Sequence, residues 1–260
     1  MSQWFWYGLR KGIQSTRYPL GPETAPGISP GRPLSTLFPS ATEAARAAEN
    51  CPVGAISAVD NLAEVDLRRC IHCGRCHFGS ANSLHWDTSF EWAQAGLRKS
   101  GGFEPLPRAF SRSLQIIVVD AGDCGACLNE VRQLNNPLYN MHRLGFFFTA
   151  TPRTADLLIV VGPVSANMRS PLLKTYEAMP EPKKVMAVGT CAITGGVFER
   201  SFMSAGGVGS VLPVDIEVPG EPPPPLAVLH AMLVLTGRKP LAENGGTQSP
   251  AGRRVMGPEV

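Results

Sequence analysis

The tightest constraint in this sequence is the spacing of its cysteines. Three thiols stand close together in Cys70-Ile-His-Cys73-Gly-Arg-Cys76, and a fourth precedes a proline upstream, Cys51-Pro52. Three soft thiolates on one tight turn, joined by a fourth from a distant Cys-Pro, suit a cubane iron–sulfur cluster. Zinc is the competing reading, but zinc sites usually draw on two separated C-x2-C pairs, which is a different spacing. The other cysteines, Cys124, Cys127 and Cys191, lie further along. Seven cysteines are an odd number, and with no secretion signal they argue against a disulfide framework.

What is missing is as informative as what is present. Two-cluster bacterial ferredoxins repeat the run C-x2-C-x2-C-x3-C-P, and the fourth cysteine of each run ligates the other cluster. Counting back from Cys51 with that spacing reaches Ala47, Ala44 and Ala41, and Ser80 stands where the second run would end in cysteine. The four ligands of one cluster are absent together, while Cys51, Cys70, Cys73 and Cys76 remain. The pattern is a ferredoxin pair with one site erased and a 4Fe-4S site intact. On its own terms the alanine stretch also reads as a helix from Ser40 to Asn50, opened by a Ser40-x-x-Glu43 capping box. Runs at Ala55 to Val59 and Ala63 to Leu67, around Asp60-Asn61, predict a hairpin beside it.

Length and composition bound the rest. A chain of 260 residues has room for one or two domains with a sizeable core. The 27 Gly and 24 Pro have no collagen-like period, and 43% hydrophobic content excludes a wholly disordered chain. A net charge of +3 is too small to argue for nucleic acid. The longest apolar stretch, Leu226 to Leu235, is interrupted by His230 and too short to span a bilayer. Trp4-Phe-Trp-Tyr7 is too brief for a signal-peptide core, so a soluble cytoplasmic protein is expected. Prolines at 22, 26, 30 and 33 make residues 1–33 an extended, polyproline-like arm. Residues 34–92 form the cluster domain, and 93–113, with Lys99-Ser-Gly-Gly102 and Pro105-Leu-Pro107, have linker composition. Residues 238–260 read as a mobile tail.

From residue 114 the pattern becomes strands alternating with helices. Leu114 to Asp120, Asp156 to Gly162 and Lys184 to Gly189 are buried-strand runs, separated or followed by helical segments near 128–136, 169–178 and 224–236. Such alternation predicts an α/β domain over 114–237, a parallel sheet with helices on both faces. Ligands of these sheets gather at the carboxyl ends of strands. Cys124 and Cys127 follow the first strand and Cys191 follows the Lys184 strand, so three thiols are expected to converge on one edge. Strand–Cys-Gly-Ala-Cys–helix also suits a thioredoxin-type redox pair. Against that, a third cysteine is not needed there, and Ala121-Gly122-Asp123 lacks the usual tryptophan. Inert buried thiols are the remaining alternative.

Four ordered motifs carry a resemblance: Asp120-x3-Cys124-Gly-Ala-Cys127-x2-Glu130, Met168-Arg-Ser-Pro171, Gly189-Thr-Cys191-Ala-Ile-Thr-Gly-Gly196, and Pro213-Val-Asp-Ile-Glu-Val-Pro-Gly-Glu-Pro-Pro223. Over about residues 114–237 the chain resembles the small-subunit family shared by group 4 membrane-bound nickel–iron hydrogenases, such as formate hydrogenlyase, and the B subunit of complex I. The first third resembles the complex I ferredoxin subunit, fused in front. The resemblance implies a flavodoxin-like domain with a proximal 4Fe-4S or 3Fe-4S cluster held by Cys124, Cys127 and Cys191. Its fourth ligand would come from Pro-Gly-Cys-Pro-Pro, where this chain reads Pro219-Gly220-Glu221-Pro222-Pro223. Glu221 is therefore either a substitute iron ligand or a solvated loop glutamate. Glu130 is either suited to proton transfer towards a large subunit or a first-turn glutamate favoured by the helix dipole. Arg169 is read as a pairing group near the cluster or a surface arginine, and His72 and His77 as neighbours that tune the N-terminal cluster. The residues 4–7 aromatics would lie on a partner, at a membrane interface or in the core.

The partners implied are a hydrogenase large subunit, equivalent to the complex I 49-kDa-like subunit, and the membrane subunits of the same complex, with no nucleic acid. The chain would then be peripheral on the inner face of the cell membrane, an electron-transfer oxidoreductase subunit whose catalytic centre lies on its partner. Two alternatives stand beside this: a member of a quinone-reducing complex, like the B subunit of NADH-quinone oxidoreductase, and a non-catalytic scaffold with a degraded proximal site.

Overall fold

The structure is a computed structural model and describes residues 3–78, 84–96 and 103–241. Ser80 lies outside the described residues. The chain begins with helix α1 (Gln3–Lys11), followed by β1 (Arg32–Pro33), β2 (Thr36–Leu37), α2 (Ala41–Glu49), β3 (Ile56–Val59), β4 (Leu62–Val65), α3 (Arg75–Phe78), β5 (Trp86–Asp87) and β6 (Gln94–Ala95). The second half holds β7 (Leu114–Asp120), α4 (Ala126–Gln133), β8 (Phe146–Phe148), β9 (Leu157–Val161), α5 (Arg169–Glu177), β10 (Lys184–Val188), α6 (Thr190–Thr194), β11 (Ile216–Val218) and α7 (Pro225–Leu235).

The small N-terminal unit is α2 packed on an antiparallel sheet of order β2-β4-β3. Asp60, at φ 51°, makes the tight turn of the β3–β4 hairpin. Ser40 caps α2, its hydroxyl accepting from the Glu43 amide at 3.4 Å, so the helix starts where the capping box predicts. Ala44 and Ala47, two of the positions where cysteines would be expected, point into a small core with Phe38, Ile56, Ala63 and Leu84.

The large unit is a six-stranded sheet of order β6-β11-β10-β9-β7-β8. All pairings are parallel except that of the edge strand β6. Without β6, the strands in chain order stand 2-1-3-4-5, the flavodoxin-like arrangement. The central strands β9 and β10 are buried along their whole length, and parallel strands covered on both faces read as continuous apolar runs. One face packs against α4 and α7, the other against α5 and α6. Helix α7 is buried all round, which explains its lack of a polar face. Among the described residues no helix is long and apolar enough to cross a membrane.

Three segments differ from the sequence-based expectation. Residues 3–11 of the expected extended arm are helical, and none of them is buried, which removes the core alternative for the aromatics at 4–7. The rest of the arm is strapped down along its length: the Thr16 amide donates to Leu138 O at 2.7 Å, Tyr18 packs edge-on against Phe90, centroids 5.0 Å apart, and β1 pairs with β5. The expected linker opens with β6, antiparallel to β11, because buried Trp92 and Ala93 draw the chain onto the sheet edge. At the start of the expected tail, Arg238 Nη1 donates to Leu144 O at 2.9 Å and Lys239 pairs with Glu91 at 2.9 Å. The tail beyond residue 241 lies outside the described residues.

Candidate metal centres

The N-terminal cysteines meet at one small cavity. Cys51, Cys70, Cys73 and Cys76 line it together, with Ile56, Val65, Ile71 and Trp86 among its apolar walls. Cys51 arrives from the end of α2 and accepts the Ala55 amide at 3.2 Å on its sulfur. Burial pushes the Cys70 thiol up to about 12, and the other three cysteines add to the rise. Burial raises Cys76 as well. His72 lies between Trp86 and Trp92, its ring centroid 6.3 and 6.0 Å from theirs. Burial lowers its imidazole. The His77 ring lies tilted against Trp86, centroids 5.5 Å apart.

The second group forms at the carboxyl ends of the parallel strands. Asp120, the last residue of β7, accepts the Gly122 and Asp123 amides at 2.9 and 2.8 Å and so turns the chain. Asp123 then accepts from the Gly125 and Leu128 amides at 2.9 and 3.1 Å, fixing the start of α4. Cys124 is exposed on this turn and Cys127 is buried in the first turn of α4. Cys191 stands on α6, one turn beyond β10.

Glu221 comes from the loop after β11, and its carboxylate faces this group. Cys191 Sγ donates towards Glu221 Oε2 and Oε1 at 3.6 and 3.7 Å. Burial pushes the Cys127 thiol up, and the charges of Glu221, Asp123, Cys191 and Cys124 all push it further. Burial, then the Glu221 charge, pushes Cys191 up to about 12. The Glu221 carboxyl is itself raised by burial, with the bonds from Cys191 working in the other direction. Two glycines make room for the sulfurs. A side chain at Gly189, φ 92°, would put its Cβ 2.4 Å from Cys127 Sγ, and one at Gly196, φ 55°, would put it 2.8 Å from Cys191 Sγ.

Glu130 lies on α4 one turn after Cys127, and burial raises its carboxyl. Arg169 opens α5 and is exposed. Among the described residues, no group of three or more His, Cys, Asp or Glu side chains is arranged to hold a single metal ion. Sequence reasoning passed over Asp123, although its place between Asp120 and Cys124 was a usable signal. It also passed over Trp92, whose Nε1 donates to Pro219 O at 2.8 Å, tying the Glu221 loop to the ring that faces His72.

Comparison with known proteins falls on this second unit. Residues 124–235, from Cys124 to the end of α7, match the family described as NADH ubiquinone oxidoreductase, 20 Kd subunit. An uncharacterised protein of Methanocaldococcus jannaschii is 40% identical over 122 residues, 47% of this chain and 82% of that protein. Formate hydrogenlyase subunit 7 of Escherichia coli is 35% identical over 132 residues, 51% of this chain and 52% of that subunit. The NADH-quinone oxidoreductase B subunit of Clostridium beijerinckii is 42% identical over 110 residues, 42% of this chain and 65% of that protein. The chain thus spans about half the length of the formate hydrogenlyase subunit. On these sequence matches, the chain belongs to the NADH ubiquinone oxidoreductase 20 Kd subunit family.

Proposed function

We propose that the chain is the electron-transfer subunit of a membrane-associated, group 4 nickel–iron hydrogenase-like complex of the formate hydrogenlyase type. A ferredoxin-like unit over residues 34–92 would be fused in front of the family domain over 114–237. The observation that carries the reading is the meeting of Cys124, Cys127, Cys191 and Glu221 at the strand ends of the family domain. These side chains come from three separate segments of the chain, near enough that the charges of Glu221, Cys191 and Cys124 all act on the Cys127 thiol, which supports their serving one cluster. The cavity lined by Cys51, Cys70, Cys73 and Cys76 would take a second cluster in the same way, its other walls largely apolar. When bound, iron–sulfur clusters accept and release single electrons.

The residues of this chain would hold and insulate those groups. Gly189 and Gly196 keep space open at Cys127 and Cys191. Glu221 would supply the fourth ligand to the proximal site, as a harder donor than the thiolates beside it. Its facing of Cys191 supports this reading over a solvated loop glutamate and over the scaffold alternative. Glu130 would move protons towards a large subunit carrying the catalytic centre. Similarity to the NADH-quinone oxidoreductase B subunit, at 42% identity, favours a quinone-reducing complex as the second reading.

Iron analysis of the anaerobically reconstituted chain tests the proposal. About eight irons per chain, with two cluster signals in the Mössbauer spectrum, are expected. About four irons, with one signal, would overturn the relay and favour the scaffold. Co-purification with a large subunit that does or does not carry nickel would separate the hydrogenase from the quinone-reducing reading.

A further inference from the structure

The chain leading into Cys70 lies against α6, and the two are fastened at two points. Thr190 Oγ1 donates to the Cys70 carbonyl at 2.9 Å. One helical turn further on, Thr194 Oγ1 lies 3.3 Å from the Arg68 carbonyl, sharing its one proton with the Thr190 carbonyl of its own helix at 3.2 Å. Two hydroxyls on one helix face meet two carbonyls on the facing chain, which fixes their register. Arg68 adds side-chain contacts to the same unit, with Nη2 donating to Ala95 O at 3.0 Å and the guanidinium pairing with Glu217 of β11. Glu217 lies in the strand that leads to Glu221.

Thr190 stands out because of what it touches and where it sits in the chain. It is completely buried, so its hydroxyl has no water to bond instead, and its other acceptor, Gly220 O at 3.4 Å, is the more distant one. Its amide donates to Gly220 O at 3.0 Å, next to Glu221. Its neighbour in sequence is Cys191. One residue therefore contacts the ligand loop of the first thiol group, belongs to the ligand helix of the second, and steadies the loop that presents Glu221.

We propose that Thr190 is the positioning residue that sets the separation of the two thiol sites and joins them directly, through the hydrogen bond from its hydroxyl to the Cys70 carbonyl. From the Cys70 carbonyl the connection crosses one hydrogen bond, the Thr190 side chain and one peptide unit to reach Cys191. As an electron-transfer role this rests on the reading that both thiol groups hold clusters; as an interdomain fastening it does not.

The test compares Thr190→Val and Thr190→Ser in the full chain. Valine keeps the shape and removes the hydroxyl, whereas serine keeps the hydroxyl. Amide hydrogen exchange over residues 66–74, measured without iron, is expected to quicken about tenfold in Thr190→Val and to stay near wild type in Thr190→Ser. Unchanged exchange in Thr190→Val would overturn the fastening. In the reconstituted proteins, the splitting of EPR lines by magnetic interaction between the two reduced sites is expected to shrink in Thr190→Val and persist in Thr190→Ser. Equal splitting in all three proteins would overturn the coupling role. Iron near four per chain in all three would count against the two-cluster reading instead, with the exchange data still judging Thr190. If Thr190→Val does not fold, Thr190→Ala removes the hydroxyl without adding bulk, and the same outcomes apply.

Discussion

The Glu221 carboxylate lies 3.6 Å from the Cys191 sulfur, across a site whose other donors are thiols. Burial raises this carboxyl, and under the proposed function iron would be the partner that favours its charged form. Glu221→Ala is expected to convert the second site from a four-iron to a three-iron signal, lowering iron by about one per chain. Glu221→Cys should keep the four-iron signal with a changed spectrum. Mössbauer and EPR spectra of the three proteins check this, and identical wild-type and Glu221→Ala spectra would sink the ligand role.

Thiol protonation gives the iron-free chain an alkaline weakness. Burial holds Cys191 at about 12 and raises Cys127, while an unfolded thiol titrates near about 8.5. Each folded-state value is raised, so the stabilising contribution is complete below the unfolded value and is lost as pH climbs towards the folded one. Between about pH 8.5 and 12 each such thiol should remove about 1.4 kcal/mol of stability per pH unit. Thermal melts from pH 8 upward should therefore fall steeply without iron. With iron bound the thiolates are already ionised, and the slope should flatten.

Gly189→Ala should damage one site and spare the other. Its Cβ would meet Cys127 Sγ at 2.4 Å, and φ 92° is strained for alanine. Iron is expected to fall from about eight to about four per chain, the remainder belonging to the Cys51, Cys70, Cys73 and Cys76 site. Equal loss at both sites, read by Mössbauer spectroscopy, would refute this division.

Trp92→Phe removes the buried hydrogen bond to the Pro219 carbonyl. The expected cost is about 1–3 kcal/mol, because that carbonyl is left without its donor. Chemical denaturation of the iron-free chain measures it. The loop carrying Glu221 should loosen with it, visible as broader EPR lines from the second site.

The sheet was legible in the sequence because strands covered on both faces need apolar residues at every position, as Leu157–Val161 shows. Cys124, Cys127 and Cys191 could be placed because they follow such strands. Glu221 drew attention by interrupting a motif, but its nearness to Cys191 depends on β10 and β11 lying side by side. Other features had no local signal. The Thr190–Cys70 and Trp92–Pro219 bonds join residues 120 and 127 positions apart. No periodicity records such a pairing. The arm looked extended from its prolines, yet Tyr18 is anchored by Phe90, far along the chain. Strand β6 is two residues long and was hidden in linker composition, since an edge strand that short carries no alternation to detect.

The apolar cluster of Phe38, Ala44, Ala47, Ile56, Ala63 and Leu84 alters how the small unit comes into being. Where metal ligation supplies the folding energy, a domain waits for its metal before it takes shape. Here six apolar side chains pack together with Cys51 and Cys76 against them, so a newly made chain would already possess part of its cradle before any iron arrives. Cysteines placed at 44 and 47 would have to displace that packing before they could hold anything.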